Sequence, residues 1–293
     1  MIHTIENNYL KVAVQQLGAE ICSIKSQKTG KEFLWDANPD IWGSHSPVLF
    51  PIIGALKNNS FSYQGKSYSV PKHGFIRNNS QLEIDSKTTE VLVLKYKYNE
   101  ESLKMYPFKF VFYISFHLHK NKLIITHKVE NIGENEMYFS VGAHPAFKCP
   151  INSNENYEDY YIEFEAMETA QTWELASGGL TSGKTHMVLE NSNKLHLTKQ
   201  LFANDALIFK NLKSKKVSLK SNVNNNKISL HFSDFNYLGI WAKPNAPFVC
   251  IEPWLGITDD INSTGEIEHK EGILNLETKK SFTAEYSIVI DEE

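Results

Sequence analysis

The sequence predicts an all-β fold, a large antiparallel β-sandwich. Two stretches of strict period-two alternation carry that expectation. Phe108, Phe110, Phe112, Ile114, Phe116 and Leu118 share one side of an extended chain, and Phe282, Ala284, Tyr286, Ile288 and Ile290 repeat the pattern near the end. The third observation is turn chemistry at Lys57-Asn58-Asn59-Ser60, Gln64-Gly65-Lys66, Asn131-Ile132-Gly133 and Asn224-Asn225-Asn226. Long amphipathic helices are scarce, which disfavours an alternating βαβ plan.

Shorter strands are expected at 10–14, 91–98, 122–129, 161–165, 217–219, 228–232 and 248–251, and one short helix at 197–202. No fixed-period repeat or Pro/Gly/Ser-rich linker divides the chain, so residues 1–293 are read as one domain. At 41% hydrophobic and 22% charged, the composition supports a large core. A net charge of −4 without a Lys/Arg cluster argues against nucleic acid or an anionic membrane as partner. Cys22, Cys149 and Cys250 are widely spaced and lack a C-x-x-C pattern, so neither a disulfide framework nor a zinc site is indicated. With no apolar leader in MIHTIENNYL and no 18-residue apolar run, a cytoplasmic location is expected.

Two apparent motifs are set aside. Gly178, Gly183, Lys184 and Thr185 fit the phosphate-loop pattern, but such a loop needs a helix after it to present backbone N–H groups to an anion. Here His186-Met187-Val188-Leu189 reads as a strand and Glu190-Asn191-Ser192-Asn193 as a turn, leaving a surface loop. His117, His119 and His127 could supply three imidazoles to a metal, but no carboxylate or thiolate stands at supporting spacing, and they are read as unliganded. No G-x-S-x-G elbow occurs.

Three segments place a titratable residue in apolar or tightly turned sequence: Pro71-Lys72-His73-Gly74-Phe75-Ile76-Arg77, Val141-Gly142-Ala143-His144-Pro145-Ala146-Phe147, and Val249-Cys250-Ile251-Glu252-Pro253-Trp254-Leu255-Gly256. Glu252 follows the 248–251 strand and precedes a proline and an indole. A carboxyl so placed is either paired or raised in pKa, and the latter suits a general base near neutrality. His144, between Gly142 and Pro145, is expected where a strand ends at a sheet rim. His73 has a glycine neighbour that permits close approach of a ligand, and Arg77 could meet an anion. A salt bridge for Glu252 and a structural role for either histidine remain the plain alternatives.

Together with Gly18-Ala19-Glu20, Trp35 and Phe50-Pro51-Ile52-Ile53-Gly54, these segments resemble the aldose 1-epimerase (mutarotase) family, in particular its LacX-like bacterial branch. The resemblance spans nearly the whole chain and rests on the order and spacing of the motifs. It implies a large antiparallel β-sandwich, a sugar in a cleft, and an isomerase that interconverts the α and β anomers of a hexose without metal or organic cofactor. It further implies His144 as the acid protonating the ring oxygen and Glu252 as the base at the C1 hydroxyl. His73 and Arg77 would bind substrate, Asp205 would bind sugar hydroxyls, and Trp254 and Trp42 would form stacking platforms.

One departure from the family pattern is Ala55, where an arginine often follows the glycine; this leaves the substrate open. The resemblance implies a sugar or sugar phosphate as partner, and a hexose-6-phosphate epimerase would need Arg77 with Lys57 or Lys72. A non-catalytic sugar-binding protein and a glycosidase pairing Glu252 with Asp205, Asp234, Asp259 or Asp260 are the competing readings. Oligomeric state is left open.

Overall fold

The structure, a computed structural model, describes residues 1–292. Two antiparallel sheets dominate it. The larger has nine strands, in the order Thr181–His196, Tyr160–Leu175, Lys216–Ser221, Lys227–His231, Ser281–Asp291, Lys122–Asn131, Phe110–His119, Val91–Lys97 and Glu83–Lys87. The second has six, built on the path Leu207–Lys210, Tyr237–Trp241, Phe248–Leu255, Val141–Ala143 and Val48–Leu49, with Ala146–Lys148 also paired to Phe248–Leu255.

The two alternating runs lie near the middle of the larger sheet, on either side of Lys122–Asn131. Phe110, Phe112, Ile114, Phe116 and Leu118 are buried while His117 and His119 face outward. Phe282 departs slightly, being half-buried at the edge of the core. Phe248–Leu255 is buried at all eight positions, as expected of a strand covered on both faces.

Aromatic rings tie the sheets together. Phe50, just after Val48–Leu49, stacks on Phe112 at 4.7 Å and packs against Phe110 at 5.2 Å, while Phe164 meets Phe209 edge-on at 5.9 Å. A smaller apolar cluster of Leu49, Ile53, Ile208, Trp254 and Ile257 lies beside the main core.

Two expectations change. The 161–165 strand is the start of the 16-residue Tyr160–Leu175, which pairs with the equally long Thr181–His196. Beyond Phe164 both strands are polar and interrupted by register shifts, so no apolar alternation reveals their length. Residues 197–202 form turns rather than a helix, because buried Leu197 and Phe202 anchor a connection between sheets. The α-helix is instead Glu100–Met105, whose signal was local: Asn99 accepts from the Ser102 N–H, and the Ser102 hydroxyl accepts from the Asn99 N–H.

Among the described residues no helix is long and apolar enough to cross a membrane. Because Phe50 joins the two sheets while fully buried, Phe50→Ala is expected to lower unfolding free energy by about 3–5 kcal/mol in urea denaturation. A loss below about 1 kcal/mol would show that the ring does not tie the layers together.

Candidate active site

The site begins at an interruption in the smaller sheet. On one side of Phe248–Leu255, Tyr237–Trp241 pairs from Trp241↔Cys250 to Tyr237↔Trp254. On the other side, Ala146–Lys148 covers Cys250 to Phe248 and Val141–Ala143 covers Leu255 and Trp254. The chain between those short strands, His144-Pro145, stands opposite Glu252 and Pro253. The Ile251 N–H donates to the Pro145 carbonyl at 3.2 Å. Two residues on, strand periodicity turns the nitrogen of Pro253 the same way, where the neighbouring chain has left the ladder and no donor is required. The strand thus continues through Glu252 to Leu255 instead of ending at Ile251, and His144 comes just after its strand ends.

Across the gap, His144 Nε2 lies 3.1 Å from Glu252 Oε2, without the alignment of a hydrogen bond. Glu252 Oε2, His144 Nδ1 and Trp254 Nε1 are all buried without a protein partner. Buried unpartnered atoms call for an explanation; others stand outside this region on His127, Ser140 and Tyr157, but here three occur on neighbouring side chains. The imidazole is boxed by Trp42, stacked at 5.1 Å, and by Trp241 and His73, edge-on at 5.8 and 5.7 Å. The Trp254 indole occupies space that a side chain at Gly239 or Gly142 would need, since a Cβ there would lie 2.5 or 2.9 Å from its ring.

His73 is held at φ 65°, with its N–H on the Gly54 carbonyl at 2.8 Å and its Nδ1 accepting the Gly54 N–H at 3.2 Å. That bond leaves the ring proton on Nε2. Gly74 follows at φ 77°, where a Cβ would lie 2.0 Å from the Phe50 carbonyl oxygen. Only glycine fits there. Arg77, the single arginine among 293 residues, donates to Ser44 Oγ at 3.3 Å. Its backbone packs on Gly18, and Glu20 Oε1 accepts the His45 and Ser46 N–H groups at 2.6 and 2.8 Å.

His144, Glu252, Trp254, Trp241, His73 and Arg77 line a cleft of about 340 Å³, joined by Lys72, Asp205, Gly179 and Thr258. Burial drives its electrostatics. It raises Glu252 well above the usual carboxylate value, opposed by the Lys72 and Arg77 cations and reinforced by Asp205. It lowers His144 to about 3, assisted by Arg77, and holds His73 well below the usual imidazole value, assisted by His144. Arg77 is also lowered by burial, against the pull of Glu20 and Glu252.

The family model for aldose 1-epimerase matches residues 1–275. The chain belongs to the aldose 1-epimerase family. This epimerase-family protein is 32% identical over 288 residues to the plasmid form of protein LacX from Lactococcus lactis subsp. lactis, an alignment covering 94% of this chain and 96% of LacX. The structure of a galactose mutarotase related enzyme from Lactobacillus acidophilus is similar at TM-score 0.95 and 40% identity, covering 100% of this chain and 98% of that one. A galactose mutarotase-like protein from Lactobacillus casei gives TM-score 0.93 at 26% identity, with 99% and 100% covered.

Within this family member, the residues singled out in the sequence converge: His144, Glu252, His73, Arg77, Asp205, Trp254 and Trp42 all line the cleft. Asp205 is an exposed rim residue at φ 80°, its carboxylate accepting the Ala206 N–H. Lys72 joins Arg77, but Lys57 does not, since its Nζ donates to the Ser263 carbonyl outside the cleft. Ala55 is buried off the cleft wall, its backbone bonded to Thr258 and Asp259.

Other carboxylates are engaged elsewhere: Asp259 with Lys270, Asp260 with Thr181 and Asp234 with the Glu285 N–H. His127 faces the core between Phe112 and Tyr286 while His117 and His119 point outward, so the three do not converge. Gly178 and Gly179 form a hairpin turn rather than a phosphate cradle, and Gly179 reaches the cleft. Trp241 and Thr258 were missed. The solitary arginine was a signal that composition alone could have supplied.

The raised Glu252 value has a consequence for stability. Its favourable contribution is complete below the unfolded value of about 4.5 and is lost as pH rises through the higher folded value. Glu252→Gln removes that loss, so its melting temperature should gain on the parent protein between pH 5 and pH 9. Parallel thermal melts giving a constant difference would contradict the assignment.

Proposed function

We propose that the protein interconverts the α and β anomers of a hexose by acid–base ring opening. The observation that carries this reading is the His144–Glu252 pair, 3.1 Å apart and buried, with unpartnered atoms on both residues and both residues in the lining of a sugar-sized cleft. Anomerisation needs one group to take the C1 hydroxyl proton and another to protonate the ring oxygen. Glu252 takes the first proton, His144 delivers the second, and the C1–O5 bond breaks as the C1 carbonyl forms. Rotation about C1–C2 then presents the other carbonyl face, and closure returns both protons.

Proton bookkeeping favours this pair over two independent groups. Burial raises Glu252 and lowers His144, which favours a pair carrying one proton, on Glu252 at rest; moving that proton to His144 gives the carboxylate and imidazolium that the reaction uses. A sugar inserted between them exchanges its hydroxyl and ring oxygen for the contact they make with one another. His73, with Nε2–H as donor, supports the ring oxygen, while Trp254 and Trp42 offer apolar faces to the pyranose.

Polarimetry of freshly dissolved α-glucose and α-galactose tests the proposal. Glu252→Gln and His144→Ala are each expected to slow the enzymatic rate by about 10²–10⁴-fold. Equal rates in the parent and both variants would leave a sugar-binding protein instead.

A phosphorylated hexose is a second reading, favoured by Lys72 and Arg77 on the same cleft wall set. If it holds, Lys72→Ala will raise KM for a hexose 6-phosphate at least tenfold and leave that for the free sugar nearly unchanged. Equal effects on both substrates would remove the phosphate from the account.

A further inference from the structure

Cys250 precedes Glu252 by two positions in Phe248–Leu255, so strand periodicity sends both side chains to the same face. The Cys250 sulfur, a ring nitrogen of His144 and a carboxylate oxygen of Glu252 all lie within 4.8 Å of one another. Ring opening has no use for a thiol, and Cys250 lies outside the cleft lining. All three residues are at least nine-tenths buried, with Glu252 Oε2 and His144 Nδ1 unpartnered.

We propose that His144, Cys250 and Glu252 form a binding site for one thiophilic divalent cation of the Zn²⁺ class, and that its occupancy switches off the chemistry of the cleft. One thiolate, one imidazole and one carboxylate make a three-ligand set that leaves a fourth position for water. Zinc holds such ligands at about 2.0–2.3 Å, so a set 4.8 Å across at its widest closes with side-chain shifts of roughly 1 Å.

Charge supports the same assignment. On binding, the Cys250 thiol and the Glu252–His144 pair each release one proton to solvent, and thiolate plus carboxylate balance the dication in a low-dielectric site. The sulfur and nitrogen donors discriminate against Mg²⁺ and Ca²⁺, which require oxygen-rich shells. A bound cation ties up a Glu252 oxygen and a His144 ring nitrogen, and so takes both members of the pair out of proton exchange. The ion therefore replaces the shared proton of the pair and competes with sugar.

Cobalt substitution tests the site directly. The full chain is titrated with Co²⁺, expecting one equivalent bound with a sulfur-to-cobalt charge-transfer band that Zn²⁺ abolishes by displacement. In the anomerisation assay, metal-buffered Zn²⁺ should inhibit at least tenfold, reverse with chelator, and have no counterpart with Mg²⁺. Cys250→Ala and the closer Cys250→Ser should keep basal activity, lose the band and lose at least tenfold in Zn²⁺ sensitivity. Absence of the band in the parent protein, its persistence in both variants, or unchanged Zn²⁺ inhibition in them would overturn the proposal. The band is read without sugar, so its presence in a protein that fails to anomerise any sugar would count against the functional proposal and not against the metal site.

Discussion

A carboxyl group buried in an otherwise apolar strand is the constraint around which this molecule is arranged. Glu252 sits in a strand covered on both faces, where an unpaired charge is expensive and a neutral or shared proton is favoured. Its neighbourhood is shaped accordingly. The adjoining strand breaks at His144-Pro145, Pro253 removes a donor that would face the break, and an imidazole comes within 3.1 Å of the carboxylate. The same features that make the carboxyl tolerable bring an imidazole beside it and place both in the wall of the cleft.

Holding that pair requires contributions from distant parts of the chain. The buried Lys270–Asp259 ion pair, at 2.6 Å, secures the segment whose Thr258 accepts the Ala55 N–H and whose Asp259 accepts the Lys57 N–H. This fixes Gly54 beneath His73, and Gly54 in turn sets the His73 tautomer. Gly18 and Gly74 permit backbone approaches to Arg77 and Phe50 that a side chain would block. The motifs in the sequence are therefore largely packing requirements that hold a small number of chemical groups, and the cleft follows from their coincidence. If the same face also accepts a thiophilic cation, one strand would carry both the proposed reaction and its suppression.

Much of this was legible before the fold was known, for physical reasons that differ by residue. The Phe110–His119 and Ser281–Asp291 strands announced themselves because one face is buried and the other is not. Phe248–Leu255 was cut short at Ile251 because a proline ordinarily ends a central strand, and only the three-dimensional gap beside it explains why this one does not. The polar hairpin arms beyond Phe164 lacked periodicity, and the 197–202 turn borrowed apolar residues without forming a helix. Glu252, His144 and His73 stood out as titratable groups in apolar or tightly turned sequence. Trp241 and Thr258 did not, because an indole at the end of an apolar run and a threonine in a loop are ordinary until pairing brings them to a cleft. Lys57 failed in the opposite sense, since proximity in sequence to a motif did not bring its amine to the site.

The central claim is that Glu252 and His144 act as one proton-exchanging unit rather than as two independent contributors. A double-mutant cycle on the anomerisation rate measures this directly. If the pair works as a unit, Glu252→Gln combined with His144→Ala will be no slower than the more damaged single variant. Losses that multiply in the double variant would show that the two groups act separately and would contradict the account.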